Sequence, residues 1–314
     1  MKVKIIGLAA LATAVMAIFL FIDSGGDWGY VLPRRGIKII TMIVTGGAIA
    51  FSTVIFQTIT NNRILTPSII GLDSLYMLIQ TFVVFAFGAK TLTMMSKSTH
   101  FMLSVGLMIV FSLVLYQFIL KREGRNIYLL LLAGIIFGTL FSSLSSFMEM
   151  VIDPDEFLVV QHAMFASFNN MDTDLLSVAI GCLIIVLASS YPLLKVLDVL
   201  SLGKDQAKNL GVDYDSIVKR LLIVVAILVS IATALVGPIT FLGLLVVNIT
   251  YQFLNTYRHR FLITGAVFIS IIALIGGQLI VERLFTFSTT ITVIINFIGG
   301  IYFLYLLLKE NKSW

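Results

Sequence analysis

The sequence predicts an all-α protein, a polytopic bundle of about ten transmembrane helices. Three observations predict it. Charge is scarce: 59% of the 314 residues are hydrophobic and 12% are Asp, Glu, Lys or Arg, about half the usual charged share of a soluble domain, and the mean hydropathy is +1.06. Runs without any of those four residues recur along the chain, at 5–22, 39–62, 74–89, 98–120, 126–148, 175–194, 221–257, 261–281 and 284–308. A helix needs about 20 apolar residues to cross roughly 30 Å of hydrocarbon. Lipid offers backbone N–H and C=O groups no partner, so repeated runs of this length imply repeated helical crossings. Finally, no polar stretch is long enough for a separate soluble domain, and residues 1–314 read as a single transmembrane domain.

The elements follow in order. Lys2 and Lys4 precede the first apolar run, as in a signal peptide, but the run ends Phe21-Ile22-Asp23 without a small-x-small cleavage site. It reads as an uncleaved span at about 4–22. The next five spans fall at about 37–59, 67–88, 100–120, 127–148 and 174–194. The run 221–257 decides the count. As one helix it would be about 55 Å long, and Gly237-Pro238 lies near its middle. Proline removes a ladder hydrogen bond and biases its predecessor away from helix. The run therefore divides into about 219–236 and 239–256, and the last spans fall at about 260–281 and 289–308. Pro33, Pro67 and Pro238 stand at expected starts, Pro192 near an end and Pro154 in a loop.

Ten spans place both termini on one side. Fifteen of the 21 Lys and Arg residues then share that side, and six (Arg34, Arg35, Lys38, Lys90, Lys97 and Arg283) lie on the other. The positive-inside bias makes the terminal side cytoplasmic. For the same reason the net charge of +5 is no nucleic-acid footprint. Two connections are long. The outer one, 149–173, is acidic at both ends and carries Phe157, Phe165 and Phe168. The inner one, 195–220, has Leu197, Leu200, Ala207 and Leu210 at roughly helical spacing, divided by Gly203, with Gly211 placed like a helix C-cap. It reads as two short helices at the cytoplasmic surface or, on spacing alone, equally as a solvated linker.

The chemistry the chain lacks is informative. Ser201-Leu202-Gly203-Lys204-Asp205 has neither the earlier glycine nor the following Ser/Thr of a phosphate loop, so ATP hydrolysis is expected elsewhere. His100, His162 and His259 belong to different segments, and Cys182 is the only cysteine. No metal cluster, cofactor site, disulfide or catalytic triad is expected. Cys182 reads as a small lipid- or helix-facing residue. Few charges lie in the spans, against an ion-coupled mechanism. Asp73, in Gly71-Leu72-Asp73-Ser74, is the exception. It reads either as a polar residue in a pathway or, preferably, as an inward-facing group near the cytoplasmic interface bonded to backbone or Ser74. Gly46-Gly47, Gly134-x-x-x-Gly138, Gly276-Gly277 and Gly299-Gly300 mark close helix packing.

Five strings, in order along nearly the whole chain, then carry a resemblance. Leu32-Pro33-Arg34 precedes the second span. Gly46-Gly47-Ala48-Ile49-Ala50-Phe51-Ser52 leads to Gln57, Asn61-Asn62, Thr66-Pro67 and Gly71. Leu200-Ser201-Leu202-Gly203 leads through Ala207 to Leu210-Gly211-Val212. Gly237-Pro238-Ile239-x-Phe241-Leu242-Gly243-Leu244 follows, and Phe297-Ile298-Gly299-Gly300 leads to Phe303-Leu304-Tyr305. Together they resemble the FecCD-type permeases of iron-siderophore and vitamin B12 ABC importers, and most of all the petrobactin/anguibactin-type subunits.

The resemblance implies a type II importer permease in a bacterial cytoplasmic membrane. It would pair with a second permease subunit, the same chain or a paralogue, and import a ferric siderophore, catecholate in type. Cytoplasmic ATPase subunits would drive it and an extracytoplasmic siderophore-binding protein would supply it. Segment 195–220 becomes the ATPase-coupling element, with Asp198, Leu200, Leu202, Gly203, Ala207, Leu210 and Gly211. Arg34 and Arg283 become docking residues for the binding protein, and Gln57, Asn61 and Asp73 candidates for the translocation path. The chain departs from the family pattern at Val247-Asn248, where Pro-His is usual, at Tyr251 in place of Arg, and at Val31 in place of an arginine. The rival reading is an ion-coupled secondary transporter, which predicts broken helices and midplane charge.

Overall fold

The computed structural model describes residues 1–22, 28–88, 96–120, 127–169, 172–287 and 289–310; Lys90, Lys121, Arg122, Arg125 and Lys312, which enter the charge count, lie outside them. Within the described residues all regular structure is helical. The α-helices are α1 (Lys2–Phe21), α2 (Trp28–Thr60), α3 (Leu72–Phe87), α4 (Lys97–Leu120), α5 (Ile127–Glu149), α6 (Pro154–Ala163), α7 (Thr173–Leu194), α8 (Leu197–Leu200), α9 (Lys204–Asn209), α10 (Tyr214–Val236), α11 (Leu242–Leu254), α12 (His259–Arg283) and α13 (Ile291–Glu310). Eight (α1, α2, α4, α5, α7, α10, α12 and α13) are long and apolar enough to cross a bilayer, while α3 and α11 are shorter. These ten helices fall at the ten expected places.

The two short helices are short for one reason: each follows a break in which the backbone leaves the helix. Before α3, Pro67–Ile70 forms a 3₁₀ turn and Gly71 takes a left-handed φ of 87°. Before α11, Gly237 takes φ 102° and Pro238 follows it. Proline fixes where helix cannot continue, and glycine accepts the positive φ. The Gly134–Gly138 pair of α5 packs on the first break. A Cβ on Gly134 would lie 2.7 Å from the Ile69 carbonyl oxygen and the Ile70 Cα, so this small-residue motif admits a turn of backbone as well as a helix. Two expected spans, the third and the eighth, therefore open on non-helical backbone. Residues 67–70 and 239–241 are apolar enough to look like span.

At the centre stand α2 and α10. Of their most apolar windows, 72% and 67% are buried, against 39% or less for the other six long spans. α12 lies along α2 so closely that a Cβ on Gly46 would meet Leu274 Cδ1 at 2.8 Å and Ser270 Oγ at 2.9 Å. α2 begins at Trp28 and contains Pro33, which sequence reasoning placed outside the helix. Residues 28–36 lie before the uncharged run and are largely exposed. The carbonyl that Pro33 leaves without its helical donor belongs to Gly29, in the exposed first turn, where water can bond it.

Charged groups clasp α1 to this core at both ends. Lys4 Nζ donates to the Phe253 carbonyl at 2.6 Å. At the other end Arg35 Nη1 donates to the carbonyls of Phe19, Leu20 and Ile22 at 3.1, 3.0 and 2.7 Å, a cation on a helix C-terminus. The long outer connection is more ordered than expected. Asp153 caps α6 by accepting from the Asp155 N–H at 3.2 Å. Beyond α6, Ala166 N–H donates to Thr292 Oγ1 at 2.8 Å and Ser167 N–H to the Val236 carbonyl at 2.9 Å. With Ala166 and Phe168 buried, this stretch lies over the break at Gly237. Cys182 is exposed on α7.

Candidate functional site

The inner connection folds as two short helices, α8 and α9, and its residues divide by face. Leu197, Leu200 and Ala207 are fully buried and join the core with Tyr214 and Val218 of α10. They anchor the segment. Leu202 and Leu210 point away, 54% and 63% exposed. Gly203, with φ 97°, stands at the start of α9, and Gly211, with φ 82°, follows its end. Lys204 and Lys208 both reach Asp215, at 3.5 and 3.1 Å, tying α9 to the start of α10.

Asp198 faces the other way, onto His259. Its Oδ1 accepts from the His259 backbone N–H at 2.8 Å and lies 2.6 Å from the ring Nδ1. The His259 Nε2 is 2.8 Å from Thr58 Oγ1. A buried imidazole, with 3% of the residue exposed, thus joins three elements: α8, the first residue of α12 and the last turn of α2. Sequence reasoning missed His259, because no local spacing links positions 58, 198 and 259.

Thr58 and His259 wall a cavity of about 520 Å³, which Gln57, Asn61, Ser201, Leu202 and Tyr251 also line. Gln57 Nε2 donates to the Arg63 carbonyl at 2.7 Å, Asn248 Nδ2 donates to the same oxygen at 2.8 Å, and the Arg63 guanidinium lies 4.6 Å from the Tyr251 ring centre. Asn61 turns the chain at the mouth with φ 48°.

Arg34 and Arg283 occupy the opposite end. Lys38 and Glu282, their near neighbours in sequence, form an ion pair at 2.8 Å, which puts the start of α2 beside the end of α12. From Arg34 to Thr60 is 26 residues of one helix, about 39 Å at 1.5 Å per residue, so this end is a bilayer's thickness from α8. Arg34 is exposed and stacks over Tyr30 at 4.4 Å. Arg283 Nη2 donates to the Ile22 carbonyl at 3.1 Å and so also holds the end of α1.

Asp73 is elsewhere again, and the expectation for it is corrected. It lies within the bundle, two residues past Gly71, which packs against Gly134 and Gly138 of α5. Its carboxylate accepts from Thr233 and Thr240, each at 3.4 Å, and from the Ser68 side chain. Ser74, the expected partner, instead accepts from Ser142 at 3.1 Å. Spacing along the chain gave no sign that α10 and the stretch before α11 would close over this position. Thus Gln57 and Asn61 share a cavity, and Asp73 lines a separate one.

The FecCD transport family matches residues 5–309. The chain belongs to that family. It is 64% identical to the petrobactin import system permease protein YclO of Bacillus subtilis, over all of this chain and 99% of the relative. It is 41% identical to the petrobactin permease FatC of Bacillus anthracis, over 90% of this chain and 79% of that one. Among solved structures, a metal-chelate type ABC transporter in an inward-facing conformation superposes with a TM-score of 0.85 at 22% identity, covering 98% and 99% of the two chains. That likeness shows the fold. In this FecCD chain the departures noted in the eighth span converge. Asn248 bonds the Arg63 carbonyl and Tyr251 stacks on the Arg63 guanidinium, so both changed positions hold one loop residue at the cavity mouth.

Proposed function

We propose that this chain is the permease subunit of an ABC importer that brings a ferric siderophore, petrobactin or a related catecholate-bearing chelate, into the cytoplasm. One observation carries the reading: end to end, it is 64% identical to a petrobactin import permease. Residues 1–314 then act as one permease domain with both termini cytoplasmic, beside a second permease subunit and with siderophore supplied by an external binding protein.

Force enters at the inner connection. Leu202 and Leu210 form the apolar ridge that a cytoplasmic ATPase subunit grips, and Leu200 and Ala207 transmit its movement to the core. Asp198 hands the movement through His259 to Thr58, and so to the cavity wall that contains Gln57 and Asn61. Gly203 and Gly211 set the angle of the ridge. Arg34, with Arg283 behind it, meets acidic groups of the binding protein at the far end. The cargo is large and anionic, which suits a broad polar cavity opened by moving helices better than a tight ion site.

The experiment is uptake of ⁵⁵Fe-petrobactin by cells that lack their own petrobactin permeases and express this chain with its partner subunits. Iron accumulation above the empty-vector level is expected, with ⁵⁵Fe bound to a hydroxamate siderophore left outside. Accumulation that survives loss of the ATPase subunit but collapses with the membrane potential would establish the secondary transporter instead.

A further inference from the structure

Asp73 lines a cavity of about 20 Å³ at the junction of the two broken spans, together with Ser52, Thr53, Ser68, Thr233 and Thr240. The volume holds one water-sized particle. Ser68 lies in the break before α3 and Asp73 in the first turn after it, while Thr233 lies in the last turn of α10 and Thr240 in the break before α11. Among the described residues no Lys, Arg or His forms an ion pair with Asp73. The only charge compensation from the fold is partial: Asp73 is in the first turn of α3, at the positive end of its dipole.

Four features of this pocket specify a ligand. Three hydroxyls donate to the carboxylate, while burial in the bundle penalises its charge, a cost that a bound cation would offset. Ser52 and Thr53 spend their hydrogens on the Ile49 carbonyl, at 3.0 and 2.7 Å, which leaves their oxygens as acceptors beside the cavity. The donor set is all oxygen and its single carboxylate can carry one negative charge, so one positive charge would neutralise it. No group of three His, Cys, Asp or Glu residues able to hold a transition metal occurs among the described residues. Hard oxygen donors select hard cations, and unwound stretches of membrane helices are where protein oxygens meet small cations. Asp73, Ser68, Thr66 and Thr240 remain partly accessible in the isolated chain.

We propose that Asp73, with the hydroxyls of Ser52, Thr53, Ser68, Thr233 and Thr240, binds one small monovalent cation of the size of sodium, which ties the two broken spans together. The inference is independent of the cargo. The ion bridges α3 to the α10–α11 junction and fixes the relative position of two pieces of backbone that lack continuous helix between them.

The test uses the purified full-length chain in lipid nanodiscs. Its Tm is followed while sodium chloride replaces choline chloride at constant ionic strength, and ²²Na⁺ binding is measured directly. The expected result is a saturable rise of Tm with sodium and saturable ²²Na⁺ binding at about one ion per chain. Thr240→Val should raise the half-saturating concentration at least tenfold, and Asp73→Asn should abolish the response. Identical Tm values in sodium and choline would mean a water occupies the pocket and overturn the proposal. So would a response to pH with none to sodium, which would mean a protonated acid, or an equal response to potassium, which would mean a pocket that does not select sodium. If Asp73→Asn fails to insert, the Thr240→Val shift and ²²Na⁺ binding by the unsubstituted chain decide the matter.

Discussion

His259 makes both of its ring contacts inside the protein, so His259→Leu removes two side-chain links, to Thr58 and to Asp198. Thr58 still donates to the Val54 carbonyl and Asp198, its side chain 48% exposed, stays solvated. The loss is that of the hydrogen bonds themselves, about 0.5–1.5 kcal/mol each, and the purified chain should show a loss of that order in a thermal melt. Uptake should fall further than stability does, because α8 and α2 are no longer joined. Asp198→Asn keeps an acceptor for the His259 backbone N–H and should cost less on both measures. If His259→Leu lowers Tm but leaves uptake per inserted chain unchanged, the histidine only staples the fold. Arg34 and Arg283 also differ at this scale. Both were read as docking groups, but Arg283 holds the Ile22 carbonyl, and its reversal would loosen α1 as well. Arg34→Glu is the cleaner probe. Exposed charge pairs are worth about 0.2–1 kcal/mol and desolvated interface pairs several. The variant should weaken binding-protein affinity and flatten its salt dependence, as read by titration at low and high salt. An unchanged affinity and salt slope would leave Arg34 as an interfacial anchor.

Among elements, the paired short helices α8 and α9 and the glycine-packed break before α3 make the sharpest predictions. Replacing Leu202 and Leu210 together by Asp puts charge on the two exposed leucines while sparing the buried Leu197, Leu200 and Ala207. Membrane abundance and Tm should stay near normal while siderophore uptake is lost; normal uptake would return the segment to a solvated linker. Gly134→Leu does the opposite. Its side chain would occupy the space of the Ile69–Ile70 backbone, and overpacking costs typically 1–3 kcal/mol, occasionally more. The variant should insert poorly and melt early. Gly276→Leu, where a Cβ meets nothing within 4 Å, should be tolerated. Comparable Tm values for the two would refute the packing account.

For the whole molecule, the proposal that a separate ATPase subunit drives transport makes a direct prediction. The purified protein should hydrolyse no ATP, and activity should appear only when an ATPase subunit is added. Robust hydrolysis by this chain alone would contradict the reading. The long axis from Arg34 at one end of α2 to Thr58 at the other gives the molecule two distinct faces. α2 and α10 at the centre connect them, and α12 lies along α2.

Much of this was legible in the sequence because membrane solvation is a local constraint. Each span must satisfy its own backbone, so the uncharged runs, the prolines and the charge bias gave ten helices without knowledge of their neighbours. The split at Gly237-Pro238 was legible for the same reason, as was the division of segment 195–220 at Gly203. Ordering by type also survived: leucines at helical spacing in that segment did form two short helices. Tertiary structure decided what depends on residues far apart in the chain. Nothing near Asp73 in sequence announced Thr233 and Thr240, nothing near Asp198 announced His259 and Thr58, and the short outer stretch from Ala166 to Phe168 gave no sign that it would lie on the break at Gly237. Hydropathy records whether a residue can leave water. Which polar groups then meet is fixed only when helices pack, because in the hydrocarbon core a buried carboxylate, hydroxyl or imidazole must find its partners on other helices.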